Sequence, residues 1–509
     1  MKLEQTHIDQ IKTAFEKMQS REDLLQLLNL AKPIVYGNKA VPFDLRQITW
    51  YSNPKLAKNR YFEFNIKKKS GASRTIHAPN QGLKSIQKTL SFVLQCVFEP
   101  HQAAMGFVRN KSIVDNAKIH TNCNYVYNID LKDFFPSIDQ ARVWKCFQLM
   151  PFNLKDNDKT STTDKLKIKT GIRKFTTDKN EVIFYQITDN LLTLINDSNG
   201  NLKKYKKRIT SHILMPEINP LDINLENNKK LKEFSDLTNN LVSEDAKKYI
   251  FSTENIAQLH KLRSSRLNLA NILASLCCTE IEVDRKNETG EWVKVKRNVL
   301  PQGAPTSPVI TNIVCQRLDY LLSSVANRFG LMYSRYVDDI TFSSMHNVYQ
   351  PDSEFLNELH RIIADQNFHI KGSKTRLQKD GFRKEVTGLL VNKKVNVQQR
   401  YIKQLRMWLY YWERYGYERA SGFFLQQYIG DKGHVKNGKP DMANVIAGKL
   451  DYLKMVNSAD NELYLKLNDR FANLIKPELG PLSRKNYLDK ILNQLIENNL
   501  ENAMSNYKK

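Results

Sequence analysis

Two adjacent aspartates, Asp338 and Asp339, lie between two runs of strand-forming residues, LMYSRYV (331–337) and ITFS (340–343). That pattern predicts a β-hairpin with two acids at its tip. The apolar flanks, Tyr336-Val337 before and Ile340-Thr341-Phe342 after, would draw the hairpin into a core. Carboxylates held there are costly unless cations neutralise them. The bland alternative is a surface Asp-Asp turn, since acids and turns go together. A third acid, Asp130, ends another short apolar run, NYVYNID (124–130), and the alternative for it is a helix start in Asp-Leu-Lys-Asp.

Carboxylates on rigid, adjacent strands suit a pair of divalent cations. Nucleotidyl transfer uses such a pair, one ion activating a 3′-hydroxyl and the other holding the triphosphate and departing pyrophosphate. Magnesium prefers oxygen donors and keeps waters, so a few carboxylates and one backbone carbonyl suffice. Because Asp130 and Asp338 are so far apart in the chain, only the fold can assemble the site. Charge points the same way: 78 Lys and Arg against 53 Asp and Glu leave a net +25. An excess of that size suits a polyanion, nucleic acid first among them, with ribosome or membrane surfaces as alternatives. Six cysteines form no CxxC pair, which argues against a zinc site or disulfide framework and for a reducing compartment. No stretch reaches the ~18 apolar residues of a membrane span. The first residues place Ile8, Ile11, Phe15 and Met18 on one helical face instead of forming a signal-peptide core. The expectation is a soluble, cytoplasmic protein with no membrane partner.

Along the chain, 1–32 read as two amphipathic helices ending at Pro33. Residues 60–79 read as two strands around a basic turn, and 83–98 as a helix with Leu83, Ile86, Leu90 and Val93 on one side. Residues 153–255 are rich in Lys, Asn, Asp and Thr yet carry apolar runs, which suggests an inserted subdomain. Residues 400–427 read as a helix pair with Ile402, Leu405, Leu409 and Trp412 inward; 430–442 as a loop; 444–509 as helical again.

The block RYVDDITFS closely resembles the catalytic hairpin of reverse transcriptases. NIDLKDFFPSI (128–138), NVLPQGAPTSP (298–308), the basic strand pair at 67–79, GFVRNKSIVDNAKIH (106–120), FHIKGSKTRL (368–377) and VTGLLVN (386–392) resemble further blocks in the family's order. The Asn-Ala-x-x-His and Val-Thr-Gly signatures resemble those of retron enzymes. The resemblance implies an α+β right-hand polymerase: fingers, a palm with an antiparallel sheet, a helical thumb, an inserted subdomain and a helical C-terminal extension. The expected division is 1–59 N-terminal helices, 60–152 fingers and first part of the palm, 153–255 insertion, 256–395 palm, 396–509 thumb and extension.

Carried onto this sequence, the resemblance implies that Asp130, Asp338 and Asp339 bind two Mg2+ ions, with Mn2+ a substitute and the Leu131 carbonyl helping. Arg74, with Lys67–Lys69 near it, would bind the triphosphate of the dNTP. Phe135 would exclude a 2′-hydroxyl, Gln302 would contact the nascent pair, and Gly303 would admit a close backbone approach. Lys374 would protonate pyrophosphate or simply bind phosphate. His120, Lys403 and Arg406 would contact RNA, with a structural role the alternative for His120. The insertion, and 430–455, which resemble a C-terminal extension, favour the defence-associated group. Implied with it are a structured noncoding RNA template, a cDNA product and a role against phage, with self-assembly through the insertion an open option. The alternatives are a classical retron enzyme making RNA-linked msDNA, and a catalytically silent RNA-binding scaffold.

Overall fold

The computed structural model describes residues 5–57, 59–67, 73–155, 266–287, 289–432 and 440–478, with the backbone of four strands between 172 and 214. The chain divides into two units interleaved in sequence. One comprises Met1–Phe64, Ile76–Glu99 and Phe135–Val314; the other comprises Asn65–Thr75, Pro100–Phe134 and Cys315–Lys509.

The first unit opens with helices α1 (Gln5–Lys17), α2 (Arg21–Tyr36) and α3 (Leu45–Ser52). Ser20 and Asp23 form a reciprocal capping box at the start of α2, satisfying amides that a helix N-terminus otherwise leaves open. The sequence places the end of this helix at Pro33, but α2 runs on to Tyr36. Proline's fixed φ is itself helical, so in the last turn it removes one ladder bond without stopping the helix. The stop is Gly37, at φ 86, whose N–H bonds the Pro33 carbonyl. Strands β1 (Tyr61–Lys67) and β2 (Ser73–Pro79) pair as a hairpin, and α4 (Gln81–Val97) follows. Leu83, Ile86, Leu90 and Val93 are buried with Ile11, Phe15 and Met18.

Helix α5 (Ile113–Lys118) and strand β3 (Tyr125–Asp130) belong to the second unit, and α6 (Gln140–Phe147) returns to the first. Phe152 packs against Phe15, Phe98 and Phe147, and Leu154 is fully buried. The chain through Leu154 is therefore part of this core, not the start of the insertion expected from 153. Beyond it, β4 (Ile172–Thr176), β5 (Val182–Thr188), β6 (Leu191–Ile195) and β7 (Ile209–Leu214) form an antiparallel meander. Helix α7 (Arg266–Cys277) ends on buried donors: Arg60 reaches the Ser275 and Cys278 carbonyls at 3.0 and 3.1 Å, and Gln87 reaches Leu276 at 2.7 Å. A cation at a helix C-terminus complements its dipole. The hairpin β8 (Thr279–Lys286) and β9 (Trp292–Val299) completes this unit, and α8 (Ser307–Arg328) leads out of it.

In the second unit, β10 (Met332–Tyr336), β11 (Asp339–Ser344), β3 and β12 (Arg376–Lys379) form an antiparallel sheet in that order. Helix α9 (Glu354–Asp365) covers it, with Phe355 against Phe342 and Tyr349. A tight hairpin, β13 (Glu385–Val386) and β14 (Leu389–Leu390), turns through Thr387 at φ 48 and Gly388 at φ 82, the two left-handed positions of a type I′ turn. Next come α10 (Gln399–Lys432), α11 (Met442–Asn457) and α12 (Glu462–Glu478). Leu405, Leu409 and Trp412 face inward, while the largest inward side chain is Trp408. Helix α10 continues to Lys432, past the loop expected from 430.

The α10 element is a helical hairpin. Trp408 packs edge-on against Phe424 at 4.9 Å, and its indole N–H bonds Gln427. A straight helix would hold residues 408 and 424 about 24 Å apart. The reversal falls at Gly416, with φ 75 and ψ 169, a region essentially open to glycine alone. Gly416→Ala should therefore lower stability by about 1–3 kcal/mol; urea denaturation of the full chain measures it, and an unchanged midpoint would contradict the strain.

Candidate active site

The acidic hairpin is a two-residue turn between paired Tyr336 and Asp339. Val337, at φ 63, takes its first central position, where glycine is the usual occupant. Strand β11 also pairs with β3 so that Asp339 lies directly opposite Asp130. The Leu131 N–H bonds the Asp338 carbonyl at 3.1 Å, and Lys371 N–H bonds that of Asp130 at 2.8 Å. Asp130, Asp338 and Asp339 thus meet at one end of the sheet, with Leu131 beside them.

Their electrostatics follow from this crowding. Burial, then the negative charges of Asp338 and Asp130, push the Asp339 carboxyl up to about 6, although its edge is open to solvent. Asp338 is raised too, chiefly by burial and with a contribution from Asp130, while the Lys374 and Arg74 charges oppose the rise. The Lys374 ammonium bonds Asp130 Oδ2, and this contact raises the lysine above its ordinary range. The donor set fits a divalent cation: hard oxygens on fixed strands, two of them pushed toward neutrality by burial and neighbouring negative charge. Among the described residues, no group of three or more His, Cys, Asp or Glu side chains closes into a ready cation site; Lys374 supplies the counter-charge to Asp130.

The other expected site residues fall in several places. Arg74 is exposed on β2, and its charge acts on Asp338. Lys68 and Lys69 lie outside the described residues, as does the Lys67 side chain. Lys403 and Arg406 are exposed on α10. Phe135, Gln302 and Gly303 belong to the first unit. Phe135 is half-buried, and the Gln302 carbonyl accepts the His77 N–H at 2.8 Å. Gly303 has φ 122, and a Cβ there would fall 2.7 Å from Ile76 Cγ2 and 2.9 Å from the His77 oxygen, so only glycine fits.

His120, expected as an RNA contact or a structural residue, lies in the core. It is fully buried, with Nδ1 and Nε2 each 2.7 Å from a serine hydroxyl, Ser343 on β11 and Ser334 on β10. Burial depresses it to about 3, so the ring is neutral. Ser334 spends its proton on Asn116 Oδ1 at 2.7 Å. Nε2 must therefore donate to Ser334, leaving Nδ1 to accept from Ser343. Asn116 Nδ2 then reaches Thr387 Oγ1 at 3.5 Å, and Thr387 donates to the Ile113 carbonyl at 3.4 Å. The Asn-Ala-x-x-His and Val-Thr-Gly segments thus form one hydrogen-bond chain behind the acidic hairpin. Sequence reading found both segments but not the serines that join them.

Comparison with known proteins agrees with this geometry. Residues 203–401 match the family described as "Reverse transcriptase (RNA-dependent DNA polymerase)". Retron Mx162 reverse transcriptase of Myxococcus xanthus is 25% identical over 83% of this chain and 67% of its own. The chain carries a reverse transcriptase domain. It is an RNA-templated DNA polymerase of the retron-like kind, and the family implies a divalent metal cofactor and an RNA template. Two further relatives are the retron Mx65 enzyme of the same organism, 24% identical over 70% of this chain and 57% of its own, and the Escherichia coli retron Ec86 enzyme, 23% identical over 68% of each. A Candida albicans telomerase structure overlays with TM-score 0.33 at 12% identity, covering 89% of this chain and 71% of its own, too loosely to decide anything. The family match includes Gln302, Gly303, Asp338, Asp339 and Lys374, whereas Asp130 joins through strand register. No helix among the described residues is long and apolar enough to cross a membrane.

The raised carboxyls give a pH signature. An unfolded aspartate titrates near 3.9, so between about pH 4 and 6 the folded chain holds protons that the unfolded chain has shed. Metal-free stability therefore falls as pH rises through this window, and cation binding must expel the proton. The half-saturating Mg2+ concentration for DNA synthesis should rise severalfold as pH drops from 7.5 to 5.5. A pH-independent value in a magnesium titration would contradict the coupling.

Proposed function

We propose that this reverse transcriptase copies a cognate structured noncoding RNA into cDNA in the bacterial cytoplasm, as part of antiphage defence. The polymerase chemistry rests on one observation above all, the register that sets Asp130 opposite Asp339 with Asp338 at the adjoining turn. The defence role rests on the presence of the insertion and on the resemblance of 430–455 to the C-terminal extension of retron-like and defence-associated enzymes. The retron relatives favour a second reading, a classical retron enzyme making RNA-linked msDNA.

In this reading Asp130, Asp338, Asp339 and the Leu131 carbonyl hold two Mg2+ ions, for which Mn2+ substitutes. Bound there, the ions supply Lewis-acid activation of the 3′-hydroxyl and neutralise the departing pyrophosphate. Arg74 offers the dNTP triphosphate a flat fork of donors. Phe135 bars a 2′-hydroxyl by its bulk, Gln302 touches the nascent pair, and Gly303 leaves the backbone bare beside it. Lys374 is released toward phosphate once Asp130 is engaged elsewhere, and there it gives a proton or a charge. Lys403 and Arg406 bind backbone phosphates without reading sequence. The insertion docks the RNA or a second copy of the chain; its stretch KKYKKR (203–208) suits single-stranded RNA and lies outside the described residues.

Asp338→Asn or Asp339→Asn should abolish primed DNA synthesis while RNA binding persists, since neither change removes a core side chain. Recovery of the protein from its host, with sequencing of the bound RNA and DNA, should yield one enriched noncoding RNA and a complementary DNA that is absent for either variant. Near wild-type extension by a variant, or a random RNA population, would overturn the proposal. Phe135→Ala should raise GTP incorporation relative to dGTP about tenfold or more, a margin near 1.4 kcal/mol. Unchanged discrimination in single-nucleotide extension would remove Phe135 from this role.

A further inference from the structure

Arg335 stands three residues before Asp338 and is wholly buried, as is its partner Asp319 on α8. Such an ion pair is a poor device for stability alone, because apolar residues of similar volume commonly do as well or better. What it offers is direction. Nε and Nη2 of Arg335 bind the two carboxylate oxygens of Asp319, each at 2.7 Å. The Tyr333 hydroxyl adds a bond of 2.8 Å to the same carboxylate. With the fork anchored, the remaining arm, Nη1, donates to the Val337 carbonyl at 3.1 Å.

Val337 needs such a hold. A β-branched residue at φ 63 is a backbone outlier, and conformations of this kind persist only where surrounding structure imposes them. Gly106 closes the other side: a Cβ there would fall 2.6 Å from Val337 Cγ2 and 2.7 Å from its nitrogen. The main chain of Arg335 is itself clasped, its N–H to Ala103 O and its carbonyl to Met105 N–H, both at 2.8 Å.

We propose that Arg335 and Asp319 are positioning residues for catalysis: the guanidinium holds the strained Val337 peptide and so aims the Asp338 carboxylate. This rests on Asp338 being a metal-binding carboxylate. The pair touches neither substrate nor metal, and acts through the turn.

The test replaces the polar cluster by apolar residues of similar volume, as Arg335→Met, Asp319→Leu and Tyr333→Phe together. Thermal stability should be retained or rise. The kcat for primed synthesis should fall at least about tenfold, with KM for template–primer unchanged. Manganese affinity of the protein alone, by calorimetry, should fall severalfold. Adding Val337→Gly, which makes the left-handed turn unstrained, should recover most of both losses. Wild-type kcat and manganese affinity in the apolar variant would overturn the proposal, and so would losses that Val337→Gly fails to recover. Should the triple variant not fold, Arg335→Lys decides by the same readouts, because a single ammonium cannot hold both Asp319 and Val337. Asp338→Asn separates the two ideas: synthesis retained there removes the metal assignment, not the Arg335 contact.

Discussion

Mutual repulsion among three carboxylates at one sheet end governs how the surrounding structure is built. Asp130 and Asp339 face each other across paired strands, Asp338 adjoins them, and the strands behind are largely buried. Such a cluster is stable only if its backbone cannot relax and some positive charge stands nearby. Lys374 and Arg74 supply the charge. Rigidity comes from behind, where Phe342 packs between Tyr333 and Phe355 and His120 bonds Ser334 and Ser343. The proposed cation site is held in a geometry that disfavours its own empty form.

The polar groups behind the hairpin divide the work. The chain from Ser343 through His120, Ser334 and Asn116 to Thr387 has one proton order, because each hydroxyl has one hydrogen to give. It ties β10 and β11 to the Val-Thr-Gly turn that precedes α10. The Arg335–Asp319 pair acts on the turn itself. Inserting either network half-satisfied would cost more than an apolar core, which fits their complete pairing.

Much of this fold was legible in the sequence. Runs of strand-forming residues marked β3, β10 and β11, and helical spacing marked the inward faces of α1, α4 and α10, because burial imposes those patterns locally. What local pattern does not carry is the identity of distant partners. His120 read equally well as an RNA contact or as a core residue; the serines that enclose it lie more than 200 residues away in the chain. Nothing in LMYSRYV marks Arg335 as buried, and nothing around Asp319 marks it as the mate. Pro33 was overread as a stop, since one lost bond in a last turn is a small penalty. The insertion was expected to start at 153 because the sequence there turns rich in Lys and Asn, yet Leu154 is fully buried.

The insertion's placement has a consequence for how such chains diversify. It begins after Leu154 and ends before α7, so it lengthens the loop that must close for β3 to find β11 while lying outside both strands in sequence. Loop-closure entropy grows only with the logarithm of length, about 0.6 kcal/mol per doubling. An insertion that roughly doubles the separation of Asp130 from Asp338 thus taxes assembly of the sheet by less than one ordinary hydrogen bond. At this point in the chain, new sequence is thermodynamically almost free, and a polymerase can acquire a four-stranded appendage while its palm stays as it was.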